Sequence, residues 1–204
     1  MQFVEFKNLF KNQIIFSNTD IEKLIQGFNN KNLINWQKKG YIQKLRNNWY
    51  CFSDIHRTQN ELFTIANNIY KPSYISLESA LSYYGFIPEG VFSFTSISTL
   101  KTNTFTNHFG TFIYKSIKNN AFFAYKILES ENLKFKIAEP EKAILDYFHM
   151  NHNMNTEEDF SAIRLNKSNL KLTVDFEKIE KYASLFNSKV LVKRINKLNN
   201  YINA

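Results

Sequence analysis

The chain of 204 residues has one cysteine, three prolines and five glycines, and each scarcity excludes something. A lone thiol, Cys51, rules out an intramolecular disulfide framework, and with no charged group nearby in sequence to make a thiolate it reads as a small core filler rather than a nucleophile. So few glycines leave little for a phosphate-cradling loop, and no P-loop, dinucleotide fingerprint, H-E-x-x-H or G-x-S-x-G is present. No apolar run reaches the roughly 18 residues of a membrane span. The opening Met1-Gln2-Phe3-Val4-Glu5 lacks the cationic and apolar regions of a signal peptide, so a cytoplasmic protein is expected. Gly/Ser/Pro-rich linkers and internal repeats are also missing.

Aromatic residues and positive charge are what the chain has in quantity. Aromatics make up 16%, with 20 Phe and 11 Tyr, which excludes a disordered segment and supplies a sizeable core for one large or two small domains. The net charge of +8 is segmental. Residues 1–57 hold 9 Lys/Arg against 4 Asp/Glu, residues 58–166 hold 9 against 11, and residues 167–204 hold 8 against 3. A polyanion is therefore expected at the N-terminal part, assisted by the C-terminal helices.

Thr19 to Phe52 carry the most organised pattern. Thr19-Asp20-Ile21-Glu22 fits a capping box, and Ile21, Leu24, Ile25 and Phe28 follow at helical spacing. Gly27-Phe28-Asn29-Asn30 supplies turn chemistry, with Asn30 placed to cap a helix from Lys31 to Lys39. On that helix Leu33, Ile34 and Trp36 share one arc, and Lys31, Asn32, Asn35, Lys38 and Lys39 share the other. Gly40 stops it, and Tyr41–Leu45 and Trp49–Phe52 read as two strands around Arg46-Asn47-Asn48. With a first helix at residues 3–12, this order predicts a winged helix-turn-helix domain over residues 1–55. Its cationic helix would lie in a major groove, with Asn32 and Asn35 reaching base edges and Lys44 and Arg46 on the wing touching backbone or minor groove. A solvated lysine face and a protein-docking module are the competing explanations.

Residues 56–204 predict an α+β domain, an antiparallel sheet flanked by helices. Helices are expected at Thr58–Tyr70 and Leu77–Tyr84, the latter capped by Ser76 and stopped by Gly85. Strands follow at Val91–Leu100, Thr104–Phe109, Thr111–Ile117, Ala121–Leu128 and Leu133–Ile137. Glu139-Pro140-Glu141 opens a further helix, and others begin at Thr156, Asp175 and about Ser188. In the last, Leu191, Ile195, Leu198 and Ile202 form a stripe that is core or a dimer seam, and Lys189, Lys193 and Lys197 form a ridge.

Catalysis finds no constellation. Asp146, His149 and His152 are spaced i, i+3, i+6, which spreads them over more than half a turn of helix, and a solvated helix end explains them better than a metal. Glu139 and Glu141 are ordinary first-turn acids, and His56 and His108 have no partners visible in sequence. Neither enzyme activity nor a cofactor is expected.

Two segments resemble a known family. Tyr74-Ile75-Ser76-Leu77-Glu78-Ser79-Ala80-Leu81, continuing to Gly85-Phe86-Ile87-Pro88-Glu89, is similar to the Y-I-S-L-E-S-A-L…G-L-I-P-E block of AbiEi-type antitoxins of bacterial abortive-infection systems. Ala138-Glu139-Pro140-Glu141-Lys142-Ala143-Ile144-Leu145-Asp146 is similar to that family's A-x-P-E-K-A-L-x-D. The resemblance implies a winged helix that binds promoter inverted repeats on double-stranded DNA and represses its own operon. It also implies a C-terminal domain that counteracts a nucleotidyltransferase-type toxin without necessarily binding it, and no membrane partner. Carried over by position, Lys31, Asn32, Asn35, Lys38, Lys39, Lys44 and Arg46 are the DNA contacts. The chain departs at Arg46-Asn47-Asn48, where relatives often carry more arginines. Glu78 and Ser79, which neither capping nor core burial explains in the sequence, are the candidates for antitoxin function. An orphan winged-helix transcription factor and a toxin-docking interaction protein remain the alternatives.

Overall fold

The structure is a computed structural model that describes residues 1–53, 57–88, 90, 93–130 and 133–204. The expected boundary at 55/56, His56, Glu89 and the strand start at Val91 lie outside the described residues. Ten α-helices and two sheets make a mixed α+β fold among those residues.

The N-terminal unit runs α1 (Phe3–Phe10), β1 (Phe16–Ser17), α2 (Asn18–Leu24), α3 (Lys31–Lys38), β2 (Ile42–Arg46) and β3 (Trp49–Phe52). Its strands form an antiparallel sheet in the order β1-β3-β2. Phe6, Phe10, Phe16, Ile21, Leu33, Trp36, Ile42, Tyr50 and Phe52 close one apolar core beneath the helices. Phe6 is its hub, with ring centroids of Phe10 and Trp36 both at 4.7 Å. Offset and edge contacts of this kind stabilise by about 1 kcal/mol each beyond the buried area.

Three details of the expected helices change. The cap of α2 is Ser17, two residues before Thr19: Ser17 Oγ accepts from the Asp20 N–H at 3.2 Å, and the Asp20 carboxylate accepts from the Ser17 N–H at 2.8 Å. Pairing of Phe16 with Tyr50 holds Ser17 in the extended conformation a cap needs, so the sheet decides where the helix starts. α2 ends at Leu24, which points outward, and Ile25 and Phe28 reach the core from irregular chain. Before α3, Asn30 makes no side-chain cap, and Asn29 Oδ1 accepts from the Lys31 N–H at 3.0 Å instead. The helix stop is as expected. Gly40 sits at φ +70°, its N–H donates to Gln37 O at 3.0 Å, and Tyr41 N–H donates to Trp36 O at 2.9 Å.

The remaining elements are α4 (Gln59–Ile69), β4 (Ser73–Ile75), α5 (Leu77–Tyr83), β5 (Ser93–Ser98), β6 (Asn103–Asn107), β7 (Gly110–Ser116), β8 (Tyr125–Ser130), β9 (Leu133–Ala138), α6 (Pro140–Met150), α7 (Glu157–Ala162), α8 (Lys167–Thr173), α9 (Phe176–Ser184) and α10 (Lys189–Asn203). Side chains of Thr58, Thr156, Asp175 and Ser188 cap α4, α7, α9 and α10. The six strands lie in the order β6-β7-β5-β4-β9-β8. This sheet is mixed, which corrects the antiparallel expectation: β5 pairs parallel with β7, and β4 pairs parallel with β9. The central strand β4 has only three residues, all buried, and therefore shows no alternation to read. The stripe of Leu191, Ile195, Leu198 and Ile202 is buried within the chain, so it is core and not an exposed seam.

Arg46 ties the two sheets together. Its guanidinium donates to the carbonyl of Ile69 and lies over the rings of Tyr70 and Phe105, 4.8 and 4.3 Å from their centroids. Asn107 Nδ2 donates to Leu45 O at 3.4 Å, and Arg57 donates to Ile14 O at 3.1 Å, so three side chains bridge the same junction. Arg46→Ala should lower the unfolding free energy by about 2 kcal/mol, from one charge-assisted hydrogen bond and two cation–π contacts. Urea titration checks this; an unchanged midpoint would show that Arg46 does not hold the units together.

Candidate nucleic-acid interface

On α3, burial of Leu33 and Trp36 turns the opposite face to solvent. Lys31, Asn35, Lys38 and Lys39 are exposed there and Asn32 is half-buried. The hairpin of β2 and β3 turns at Asn48, which takes φ +65°, and Lys44 is exposed on β2. None of Lys31, Lys38, Lys39 or Lys44 is in an ion pair among the described residues; the Lys39 ammonium lies 6.0 Å from the Tyr41 ring. Six of the seven expected DNA contacts thus keep at least part of the side chain available. The seventh, Arg46, is placed differently. Its guanidinium faces Ile69, Tyr70 and Phe105, and it does not join the open cationic set. Ile34, assigned by spacing to the apolar arc, is 53% exposed and stands among the lysines instead.

The two resemblance segments meet in the interior. Tyr74 and Ser76 on and just after β4 face Lys142 and Asp146 on α6, and all four side chains are fully buried. Lys142 Nζ contacts Asp146 Oδ1 and donates to Tyr74 Oη at 2.8 Å. Tyr74 Oη and Ser76 Oγ donate to Asp146 Oδ2 at 2.9 and 2.8 Å. Burial pulls the Lys142 ammonium below its ordinary range, with Asp146 working against that, and burial next to the Asp146 charge pushes the Tyr74 phenol well up. Rings of Tyr74, Phe123 and Phe186 lie around the ammonium at 5.4, 5.2 and 5.0 Å. Asp146 is therefore part of a saturated buried pair and not of a solvated helix end. Sequence spacing could reveal the i, i+4 relation of Lys142 and Asp146, but not that Tyr74 and Ser76 complete it.

Ser79, the other candidate for antitoxin function, is buried and hydrogen-bonded. Its N–H donates to Thr95 Oγ1 at 3.0 Å and its Oγ accepts from Thr95 N–H at 2.8 Å, so it fastens α5 to β5. Ser76 does not cap α5, because its hydroxyl belongs to Asp146. Glu78 is half-buried in the first turn of α5. Glu139 and Glu141 do not face each other as a catalytic pair; Lys178 of α9 bridges them at 2.8 and 3.2 Å, and Tyr182 Oη donates to Glu139 at 2.8 Å. Cys51 is buried, and that burial pushes its thiol up to about 11 against the opposing effect of Arg57. Among the described residues no group of three His, Cys, Asp or Glu is placed to hold a metal ion, and no helix is long and apolar enough to cross a membrane.

Two expectations follow for stability. Replacing Asp146 alone by Ala should cost about 3–5 kcal/mol, because the Lys142 charge is left buried without a partner, whereas Lys142→Met with Asp146→Leu should cost less than either single change. Denaturant titration of the three variants checks the ordering. His149, half-buried against Phe186 with ring centroids 5.0 Å apart, has its pKa lowered from 6.5, chiefly by burial and with Asp146 opposing. Below pH 6.5 the unfolded chain takes up this proton before the folded one does, so stability falls as pH falls through that window. His149→Gln should flatten that part of the pH–stability curve; a slope equal to the parent's would remove His149 as its cause.

No protein-family model matches the chain, and no curated protein matches it in sequence.

Proposed function

We propose that residues 1–55 form a winged helix that binds double-stranded DNA, and that the whole chain is an AbiEi-like antitoxin that represses its own operon. The observation that carries this reading is the solvent-facing set Lys31, Asn35, Lys38 and Lys39 on one side of α3, continued by Lys44 on the adjoining hairpin. A helix of α3's width fits a major groove, ammonium groups on its outer face displace counterions from phosphates, and asparagine amides pair with adenine edges. Burial of Leu33 and Trp36 fixes the helix to its support, so the cationic side is presented rather than folded under. The antitoxin half of the reading rests on the two resemblance segments, whose Tyr74, Ser76, Lys142 and Asp146 form one structural unit. Glu78, half-buried on α5, and Ser79, buried beside it, are the segment's candidates for a role toward a nucleotidyltransferase-type toxin.

The test is a mobility-shift titration of the full chain against its own upstream DNA. Asn35→Ala with Lys38→Ala should remove specific binding and leave the fold intact. Lys38→Ala alone should weaken binding on all sequences and reduce the slope of log affinity against log salt by about 1. Unchanged binding by the double variant counts decisively against the DNA-reading assignment. Rescue of growth during co-expression with a neighbouring toxin gene tests the antitoxin half separately.

A further inference from the structure

Where the N-terminal unit meets the large sheet, a cavity of about 590 Å³ opens between them. Trp49, Ile14 and Asp20 come from one side, and Asn67, Lys71, Ser73 and Lys134 from the other. Its volume lies in the range of small-molecule sites, and a junction of two units is where such sites are commonly found.

The wall carries unmet hydrogen-bonding capacity. Asn67 Nδ2 and Ser73 Oγ have no partner among the described residues, although Asn67 is 7% and Ser73 2% exposed. The Asn67 amide is held by its other end, since Oδ1 accepts from the Lys136 N–H, so Nδ2 is the end left over. Buried polar atoms are nearly always paired in native proteins, and two residues that line this one cavity each carry an unpaired one. Donors available in the lining are an amide N–H, a hydroxyl and the ammonium group of Lys71, while the Lys134 ammonium is already paired with Glu129. The one acid in the lining, Asp20, already accepts from Ser17 N–H and Oγ–H at 2.8 and 2.6 Å. A complementary ligand is therefore rich in acceptors and negatively charged. The indole of Trp49 adds a half-buried aromatic surface with the Lys71 ammonium 5.7 Å from its centroid, so an anion and a planar ring are received side by side.

We propose that this cavity binds a small anionic ligand with a planar ring, of the nucleoside monophosphate class. The phosphate meets Lys71 and the donors of Asn67 and Ser73, and the base lies against Trp49. Because both units line the cavity, an occupant bridges them and becomes an effector of how the N-terminal unit is held.

The chain has two tryptophans, and Trp36 is buried in the aromatic core, so emission of Trp49 reports on the cavity. The full chain is titrated with the four common nucleoside 5′-monophosphates, with the nucleosides lacking phosphate, and with inorganic phosphate, by fluorescence and by calorimetry. At least one monophosphate should bind with a dissociation constant below about 1 mM, and its nucleoside and free phosphate roughly tenfold more weakly. Lys71→Gln, an exposed change, should weaken binding roughly tenfold, and Ser73→Ala should weaken it severalfold with the melting temperature preserved. Trp49→Phe should remove the fluorescence change while calorimetry still detects heat. Absence of binding by every monophosphate, or affinity unchanged in both Lys71→Gln and Ser73→Ala, overturns the site. Free phosphate binding as tightly as the best monophosphate overturns the ring half of the assignment. No DNA enters these measurements, so their outcome is separate from that of the DNA-reading proposal.

Discussion

Lys142 and Asp146 lie one turn apart on α6 with no surface in water, and neither charge is tolerable there by itself. The pair persists because Tyr74 and Ser76 bring two more hydrogen bonds to Asp146 Oδ2, and Tyr74 accepts one from Lys142. That requirement sets the geometry around it. β4 lies at the centre of the sheet with Ser76 just after it turned toward Asp146 of α6, so the three-residue strand is held both by its ladder and by these polar contacts. Taking the Ser76 hydroxyl leaves α5 without a cap from its own chain end, and Leu77 begins the helix in the left-handed region at φ +57°. Thr95 of β5 substitutes: its Oγ1 accepts from Ser79 N–H, where a capping side chain would ordinarily act, and donates to Ser76 O. A left-handed leucine costs about 1–2 kcal/mol, and the hydrogen bonds that the arrangement completes outweigh it. The Y-I-S-L-E-S and P-E-K-x-x-x-D segments are thus halves of one buried construction.

The N-terminal unit is attached by a different kind of contact. Arg46 uses both faces of a planar cation, against Tyr70 and Phe105, and a donor on Ile69 O. A lysine could not reproduce this, since a point charge has no face to stack. The hairpin that carries Lys44 toward solvent is therefore pinned at its base to the large sheet. The exposed side of α3 is presented by a support with two anchors: its own aromatic core and the Arg46 junction.

Much of the local structure was legible, and the losses have physical reasons. Thr58, Thr156, Asp175 and Ser188 cap helices as their spacing suggests, and Gly40 and Gly85 end helices at φ +70° and +67°. These are short-range effects, written within four residues of one another. The cap at Thr19 failed because Ser17-Asn18-Thr19-Asp20 offers an equally good box, and the choice between them was made by the long-range pairing of Phe16 with Tyr50. Parallel pairing of β5 with β7 was unreadable because alternation tells which face is buried and nothing about the partner's direction. α8 escaped because a single buried residue, Leu170, gives it no periodic face. At the candidate interface the lysines of α3 were readable from a helical wheel, whereas Arg46 was not, since its partners are 23 to 59 residues away in sequence.

Formal charge is also a poor guide to where a polyanion would bind, and the two basic ends of the chain show why. At the C-terminal end three of the eight cations are engaged, while Lys171, Lys181, Lys189 and Lys193 have no carboxylate partner among the described residues. Arg194 is buried and donates to Phe148 O and Asn151 O at the end of α6. Lys178 is held between Glu139 and Glu141, which keeps its ammonium well above its ordinary range, and Lys197 reaches Asn155 O at 3.3 Å. At the N-terminal end Arg46 is likewise engaged, but Lys31, Lys38, Lys39 and Lys44 have no carboxylate partner among the described residues. Binding strength to a phosphate backbone follows the number of cations that release counterions on contact, and a cation already neutralised or buried releases few. The DNA-binding proposal therefore draws on the four cations that the exposed side of α3 and the adjoining β2 bring together, and not on formal charge alone.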